Sequence, residues 1–260
     1  IERKLEEFDY VLPKELIAQE PLPRRDASRL LILDRADGSI RHGLFPELLG
    51  ELRPDDLLVL NDTRVIPARL VCHRETGGRV DALLVEKIGD RRWQALLDTS
   101  RKLKMGERLK AGEREWAKIV GREADRWLLE FDAAVEPLME TRGRMPIPPY
   151  MRREADERDR ERYQTVFAAR DGAIAAPTAG LHFTPELLAS VPCPVARLTL
   201  HVGTGTFKPV KCETIEDHVL DPERFEIPAS TVAALGRAKR VVAVGTTVCR
   251  TLESWGRTGE

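Results

Sequence analysis

Between Arg64 and Phe131 the apolar positions come in short bursts, each closed by a glycine-bearing break. This is the rhythm of successive β-strands in a small antiparallel domain. The expected strands are Ile66–Arg74, Arg79–Ile88, Arg92–Leu97, a short piece near Arg108, Trp116–Val120 and Arg126–Phe131. Thr76-Gly-Gly, Gly89-Asp90, Met105-Gly106, Ala111-Gly112 and Gly121 separate them. Val80, Ala82 and Leu84 alternate with Arg79, Asp81 and Leu83, and Leu83 breaks the pattern, so both faces of that strand are expected to be partly covered. Closure into a barrel is the economical arrangement, because it leaves no strand edge unpaired.

The rest of the chain mixes periods. Pro13–Gln19 predicts a short helix, and Leu30–Leu33 with Ser39–Leu44 predicts a hairpin about Asp37-Gly38. Leu57–Leu60 is a short apolar strand running into Asn61-Asp62. Thr184-Pro185-Glu186 combines an N-cap, a first-turn proline and an acid, so a helix starts there. Val195–Leu200 and Arg240–Val244 read as strands, with a helix from Thr231 to Lys239, capped by Ser230, between them; Gly245-Thr246-Thr247 then opens a last helix. Met145-Pro-Ile-Pro-Pro149 is a stiff return from the barrel. The fold class is therefore an α/β mixed-sheet domain with an inserted small antiparallel β-barrel: residues 1–61 and 146–260 form the first, and 62–145 the second.

Composition narrows this picture. The 260 residues are 42% hydrophobic and 33% charged, with a net charge of −1, as in a folded globular protein. No apolar run approaches the ~20 residues that cross a bilayer, and the charged start is unlike a secretory signal, so a cytoplasmic location is expected. Cys72, Cys193, Cys212 and Cys249 form no Cys-x-x-Cys pair, which argues against a metal site; Cys249 reads as a small buried helix residue. The net charge does not announce a nucleic-acid binder, yet basic residues cluster at Arg91-Arg92, Arg101–Lys104, Arg108 and Lys110, Arg142 and Arg144, Arg152-Arg153, and Arg158 through Arg162. In Asp156–Arg162 the signs alternate, as on a solvated helix.

Candidate chemistry concentrates in glycine-, threonine- and histidine-bearing segments. Ala175–Pro185 holds Thr178, Gly180 and His182, and Leu200–Phe207 holds His201, Gly203, Gly205 and Thr206. Small residues let a backbone approach a ligand closely, and imidazole is the usual proton carrier near neutrality; ordinary glycine turns are the plainer alternative. The Gly203/Gly205 pair resembles a nucleotide loop, but Lys208-Pro209 opposes the immediate helix that a Rossmann or methyltransferase loop needs. Gly245-Thr246-Thr247 places free N–H groups and hydroxyls at a helix start; either threonine could instead simply cap it. Arg250 could hold a carboxylate or phosphate, with Glu253 as its alternative partner. Asn61, Asp62, Thr63 and Arg64 sit at a strand end leading into the barrel, where a cleft between domains would lie, although Asp62 could equally be paired to Arg64 or Arg69. Tyr163 and Gln164 could contact a base, or Tyr163 could pack on an apolar face.

These segments also carry a family likeness. Together with Phe8–Pro23, Ser28–Leu31, Asn61-Asp-Thr-Arg-Val-Ile-Pro-Ala-Arg69, Met145-Pro-Ile-Pro-Pro-Tyr150, Arg162-Tyr-Gln-Thr165 and Gly245-Thr-Thr-Val-Cys-Arg-Thr-Leu-Glu253, they resemble the S-adenosylmethionine:tRNA ribosyltransferase-isomerase family of queuosine biosynthesis, from Phe8 to about Ser254. The likeness implies an α/β body with an inserted barrel. It implies transfer of the ribosyl group of S-adenosylmethionine to 7-aminomethyl-7-deazaguanine at the wobble position of tRNA. The ribose is rearranged to give epoxyqueuosine, and adenine and methionine are released. S-adenosylmethionine would be a substrate, no cofactor or metal is implied, tRNA is the partner, and a monomer is expected. Family members run past the last motif into a segment with an Asn-Phe-His-Leu-Pro-type motif, so part of the family's site is expected to lie outside these residues. His182 and His201 are the first candidates for base or acid, Asp62 and Glu253 the next, with Arg250 or Arg64 holding the methionine carboxylate or a phosphate. A non-catalytic RNA-binding barrel and another S-adenosylmethionine-dependent transferase are the rival readings.

Overall fold

In the computed structural model, which describes residues 2–207 and 210–259, the N-terminal region folds into short 3-10 turns before its first regular pairing. The helix expected over Pro13–Gln19 is only such a turn, Lys14–Leu16, because it buries no side chain to hold further turns. Strands β1 (Arg29–Leu33) and β2 (Ile40–Leu44) form the expected hairpin about Gly38, which takes φ +73°. β3 (Asp56–Asn61) follows, buried along its whole length, and β4 (Thr63–Val65) comes after it.

The barrel strands are β5 (Arg69–Arg74), β6 (Arg79–Lys87), β7 (Arg92–Asp98), β8 (Arg108–Lys110), β9 (Trp116–Glu123) and β10 (Arg126–Phe131). They close in the order β10-β7-β6-β5-β8-β9 with antiparallel neighbours throughout. Val80, Ala82 and Leu84 are fully buried beside Leu70, Cys72, Ala95, Leu109, Ile119 and Leu129. Leu83 is buried as well, so the strand that breaks alternation is covered on both faces. Bulges at Leu84/Glu86 and Leu128/Leu129 supply the curvature that closure needs.

After the barrel come helices α1 (Val135–Arg142) and α2 (Glu157–Arg162), then β11 (Arg170–Ala173), which pairs with β4. Helix α3 (Pro185–Ala189) starts as expected, with the Thr184 hydroxyl accepting from the Leu187 N–H at 3.1 Å. β12 (Val195–Leu200), the two-residue β13 (Phe225–Glu226), α4 (Ala229–Leu235), β14 (Arg240–Ala243) and α5 (Thr246–Thr258) complete the order. α4 begins earlier than the pattern suggested: Pro228, not Ser230, is its N-cap.

One sheet positions the chemistry. Its order is β13-β12-β3-β14, with β12 and β14 both parallel to β3. Leu58 and Leu60 face a core with Phe45, Leu52, Phe167, Phe183 and Leu187. Leu57 and Val59 face another with Leu198, Leu200, Val202 and Val248. A central parallel strand buried on both faces must be apolar throughout, and Asp56–Asn61 shows this from Leu57 to Leu60. At its start, buried Asp56 takes the Arg240 guanidinium (Nε to Oδ1, 2.7 Å).

By internal contacts the chain divides into two units. The first is Ile1–Arg64, Pro149–Arg153 and Arg162–Glu260; the second is Val65–Pro148 with Glu154–Glu161. Among the described residues no helix is long and apolar enough to cross a membrane, and no group of His, Cys, Asp and Glu could hold a metal ion.

Candidate active site

The three parallel strands β12, β3 and β14 end side by side, and their C-terminal ends carry His201, Asn61 through Thr63, and Gly245. Ligands of open α/β sheets gather at such strand ends. Asn61 anchors the place. Its side-chain carbonyl accepts from the N–H groups of Leu200 (3.0 Å) and Thr63 (3.2 Å), while its amide donates to the Leu200 carbonyl (3.0 Å) and the Thr247 hydroxyl (3.4 Å). Asn61 is therefore committed to joining β3, β12 and α5. It was expected at the substrate, but all these polar capacities are spent on the protein.

Asp62 is paired with neither Arg64 nor Arg69. Its Oδ1 accepts from the Thr199 hydroxyl at 2.6 Å, while its backbone carbonyl accepts from the N–H groups of Ala169 and Arg170 at the entry to β11. Arg64 is exposed and lies 3.7 Å from Asp171. Thr63 is buried, and its hydroxyl lies 2.8 Å from Nδ1 of His201. The His201 ring rests on Gly172, where a Cβ would stand 2.9 Å from Nδ1, and the φ of +142° there already demands glycine. Burial holds the His201 pKa below its ordinary value; Arg224 and Arg170 push the same way, while Asp62 and Asp171 oppose them.

The Gly245 turn meets the Ala175–Pro185 segment. Gly245 has φ +88°, and a Cβ on it would stand 3.1 Å from that of Ala179. Neither Thr246 nor Thr247 caps α5: the N-cap is Gly245, without a side-chain bond. Thr246 is exposed, and Thr247 turns to Asn61. Arg250 does not pair with Glu253. It bonds the Glu223 carboxylate, whose other oxygen accepts from the Gly203 N–H at 2.8 Å. Glu253 is exposed on α5.

The remaining candidates separate into framework and open positions. The His182 ring packs on Phe45, centroids 5.2 Å apart, and no contact joins it to His201 among the described residues. Gly180 is glycine for the protein's own packing, since a Cβ would meet Phe167 at 2.8 Å. Thr178 is exposed. Tyr163 is buried, its phenol bonded to the Ala176 backbone and its pKa pushed up to about 12 by burial, so it packs rather than offering a ring to a base. Gln164 is half-buried. At Gly203 and Gly205 a Cβ would make only ordinary contacts among the described residues. The side chain of Thr206 lies outside the described residues, as do Lys208 and Pro209. Cys249 is exposed rather than buried.

Sequence reading missed Thr199, Gly172 and Glu223. Thr199 had a signal, a lone hydroxyl in the apolar run Val195–Leu200. Gly172 and Glu223 had none, because their roles come from neighbours distant in sequence. Two buried hydroxyls in the motif segments, Thr165 Oγ1 and Thr204 Oγ1, have no hydrogen-bond partner among the described residues. A groove of about 710 Å³ beside α3, α4 and the start of β12 shares no residue with the cluster at the strand ends. The groove offers Arg197 as its one charged side chain and no titratable pair, whereas the strand ends hold His201 and Asp62.

The model of the family described as "Queuosine biosynthesis protein" matches residues 5–259. Curated relatives named S-adenosylmethionine:tRNA ribosyltransferase-isomerase include one from Trichlorobacter lovleyi, 48% identical over 259 residues, and one from Pelobacter propionicus, 51% identical over 262 residues. Each alignment covers 96% of this chain and 76% of the relative. The crystal structure of an S-adenosylmethionine tRNA ribosyltransferase from Thermotoga maritima is similar at 35% sequence identity and a TM-score of 0.45, over 98% of this chain and 74% of that one.

Proposed function

The chain belongs to the queuosine biosynthesis protein family, and on that premise we propose that it is an S-adenosylmethionine:tRNA ribosyltransferase-isomerase. It moves the ribosyl group of S-adenosylmethionine onto 7-aminomethyl-7-deazaguanine at the tRNA wobble position and releases adenine and methionine. The observation that carries the assignment to this site is the convergence of separate motifs. Asn61–Thr63, His201 and Thr247 are joined by direct hydrogen bonds at the ends of adjacent parallel strands.

The reaction makes three demands. The sulfonium acidifies the neighbouring C–H bonds, so a base must take a proton from the ribosyl 5′ carbon. Departing adenine must receive a proton or a strong hydrogen bond. The incoming aminomethyl nitrogen must be neutral to attack. His201 and Asp62, on adjoining strand ends, are the titratable pair nearest these tasks. Arg64, exposed and loosely paired, is better placed to take the methionine carboxylate than Arg250, which Glu223 already occupies. His182, packed on Phe45, and Glu253, exposed on α5, are the secondary candidates for these tasks. S-adenosylmethionine is consumed as substrate, no cofactor takes part, and the protein acts in the cytoplasm as a monomer.

Incubation with S-adenosylmethionine and tRNA bearing 7-aminomethyl-7-deazaguanine, followed by assay of free adenine, tests the reading. Adenine formed in step with modified tRNA is the expected result. A methylated product would point to another transferase, and tRNA binding without adenine release to an RNA-binding module.

A further inference from the structure

The Thr63 hydroxyl faces His201 rather than open space. Thr63 is fully buried, and Nδ1 of His201, at 2.8 Å, is the one side-chain partner of its hydroxyl among the described residues. A hydroxyl has one proton to give, and burying that proton without an acceptor is costly. If Nδ1 carried hydrogen and donated to Thr63, the hydroxyl proton would be left in the interior with no acceptor. If the hydroxyl donates, both groups are satisfied. We infer that Thr63 is a positioning residue that donates to Nδ1 and holds neutral His201 as its Nε2–H tautomer, so that His201 meets the substrate as a hydrogen-bond donor and not as a base.

The surroundings leave the pair little freedom. The Thr63 N–H is tied to the Asn61 side chain, and the His201 N–H to the Arg224 carbonyl at 3.0 Å. The ring lies on the bare backbone of Gly172, and a Cβ there would also stand 3.0 Å from Cε1. The charged groups around the ring are Asp62 and Asp171, which favour its cation, and Arg224 and Arg170, which oppose it. Burial is the largest influence and favours the neutral form. Protonating Nδ1 would force the Thr63 hydroxyl to turn and lose its acceptor, which pushes the same way.

This deepens the proposed function and rests on it only for the identity of the acceptor. A neutral Nε2–H suits the nitrogen of departing adenine, and abstraction of the ribosyl 5′ proton passes to a carboxylate, for which Asp62, held by Thr199 on the adjoining strand end, is the candidate. The tautomer itself is a property of the protein without substrate, so it can be measured separately.

Long-range 1H–15N correlation spectra of 15N-histidine-labelled protein, with His201 assigned by the signals missing from His201→Gln, test it. The expected spectrum at neutral pH shows protonated Nε2 and unprotonated Nδ1. Thr63→Val mixes the tautomers and brings the His201 pKa toward its ordinary value, with kcat for adenine release at least about tenfold lower and KM little changed. Thr63→Ser restores the wild-type spectrum. Protonated Nδ1 in the wild-type protein, or an unchanged tautomer in Thr63→Val, overturns the inference; should the valine variant not fold, the wild-type spectrum decides. Absence of adenine release from wild-type protein, with the Nε2–H tautomer intact, would sink the functional reading and leave the tautomer standing.

Discussion

The barrel and the end of the parallel sheet bury opposite kinds of side chain. Inside the barrel, Leu70, Val80, Ala82, Leu84, Leu109, Ile119 and Leu129 are fully covered, and the charges stay outside in pairs such as Arg92–Glu130 and Lys87–Glu136. At the ends of β3 and β12, Asn61, Thr63 and Thr199 are buried instead, with His201 half-covered among them. Buried polar groups are tolerated only when their partners are built in, and here the partners are one another. The contrast teaches where each region's sequence is constrained. Any apolar set of the right volumes and alternation would fill the barrel. The strand ends need particular hydroxyls, one amide and one bare backbone at particular places.

The sharpest way to break the contrast is to remove its central side chain. His201→Ala should lower the rate of adenine release at least about 10²-fold, the scale of losing one aimed donor. Its urea unfolding midpoint should move little, because the ring is half-exposed and contributes little apolar burial. Normal turnover would remove His201 from the mechanism. A collapse of stability would make it a core residue.

Next in size are substitutions that damage folding in each region by different routes. Leu84→Ala in the barrel deletes fully buried methyl groups and should cost about 3 kcal/mol by urea unfolding, while the protein that remains folded still releases adenine. Asn61→Ala leaves the Leu200 and Thr63 N–H groups and the Leu200 carbonyl without their partner, and should cost about 2 kcal/mol. Unlike the barrel variant, it should also lower turnover of the folded fraction, since Asn61 sets the backbone of Thr63. Equal residual turnover in the two variants would erase the distinction between scaffold and site.

The same division explains what could be read from the sequence. Barrel strands were legible in number and order, because alternation against glycine breaks is a local signal: β6 runs from Arg79 and β10 spans Arg126–Phe131, as the pattern predicts, whereas β5 starts at Arg69 rather than Ile66 and β9 runs through the expected break at Gly121 to Glu123. β12 matched for the same reason. β11 was not legible, because Arg170-Asp-Gly-Ala has no alternation and is a strand only through its pairing with β4. At the site, the motif residues could be found but not their tasks. Asn61 and Thr63 look like ligand contacts in sequence and are framework in space, whereas Arg250 looks free for an anion and is held by Glu223. Roles depend on neighbours 27 to 139 positions away, which local pattern does not carry.

A smaller effect separates the two ends of the parallel sheet. Arg240 and the Arg53 N–H draw the Asp56 pKa from 3.8 down to about 2 at the start of β3. A depressed carboxylate pKa stabilises the fold above its unfolded value and loses that contribution as pH falls through the folded one. Stability should therefore decline between about pH 4 and pH 2, and Asp56→Asn should flatten that decline by one proton's worth in urea titrations across the window. Adenine release by the folded variant at neutral pH should not change, because Asp56 lies at the opposite end of β3 from His201. Parallel pH profiles for wild type and variant would mean that Asp56 is not the group responsible.

The smallest effect probes both regions at once without perturbing either. Cys72 is sealed in the barrel, with burial pushing its thiol up to about 12, and Cys193 is buried with its pKa also raised by burial. Cys249 is exposed on α5, and Cys212 is half-covered. Only a thiolate reacts with a disulfide reagent, so Cys249 should react fast and Cys212 more slowly, while Cys72 and Cys193 wait for unfolding. Cys249→Ser should abolish the fast phase and leave adenine release unchanged, since no functional contact runs through that side chain. A fast phase that survives this substitution would mean that one of the sealed thiols opens readily. If that thiol were Cys72, the barrel would be a breathing structure rather than the rigid scaffold its packing describes, and the contrast with the strand ends would need to be drawn in dynamics instead of composition.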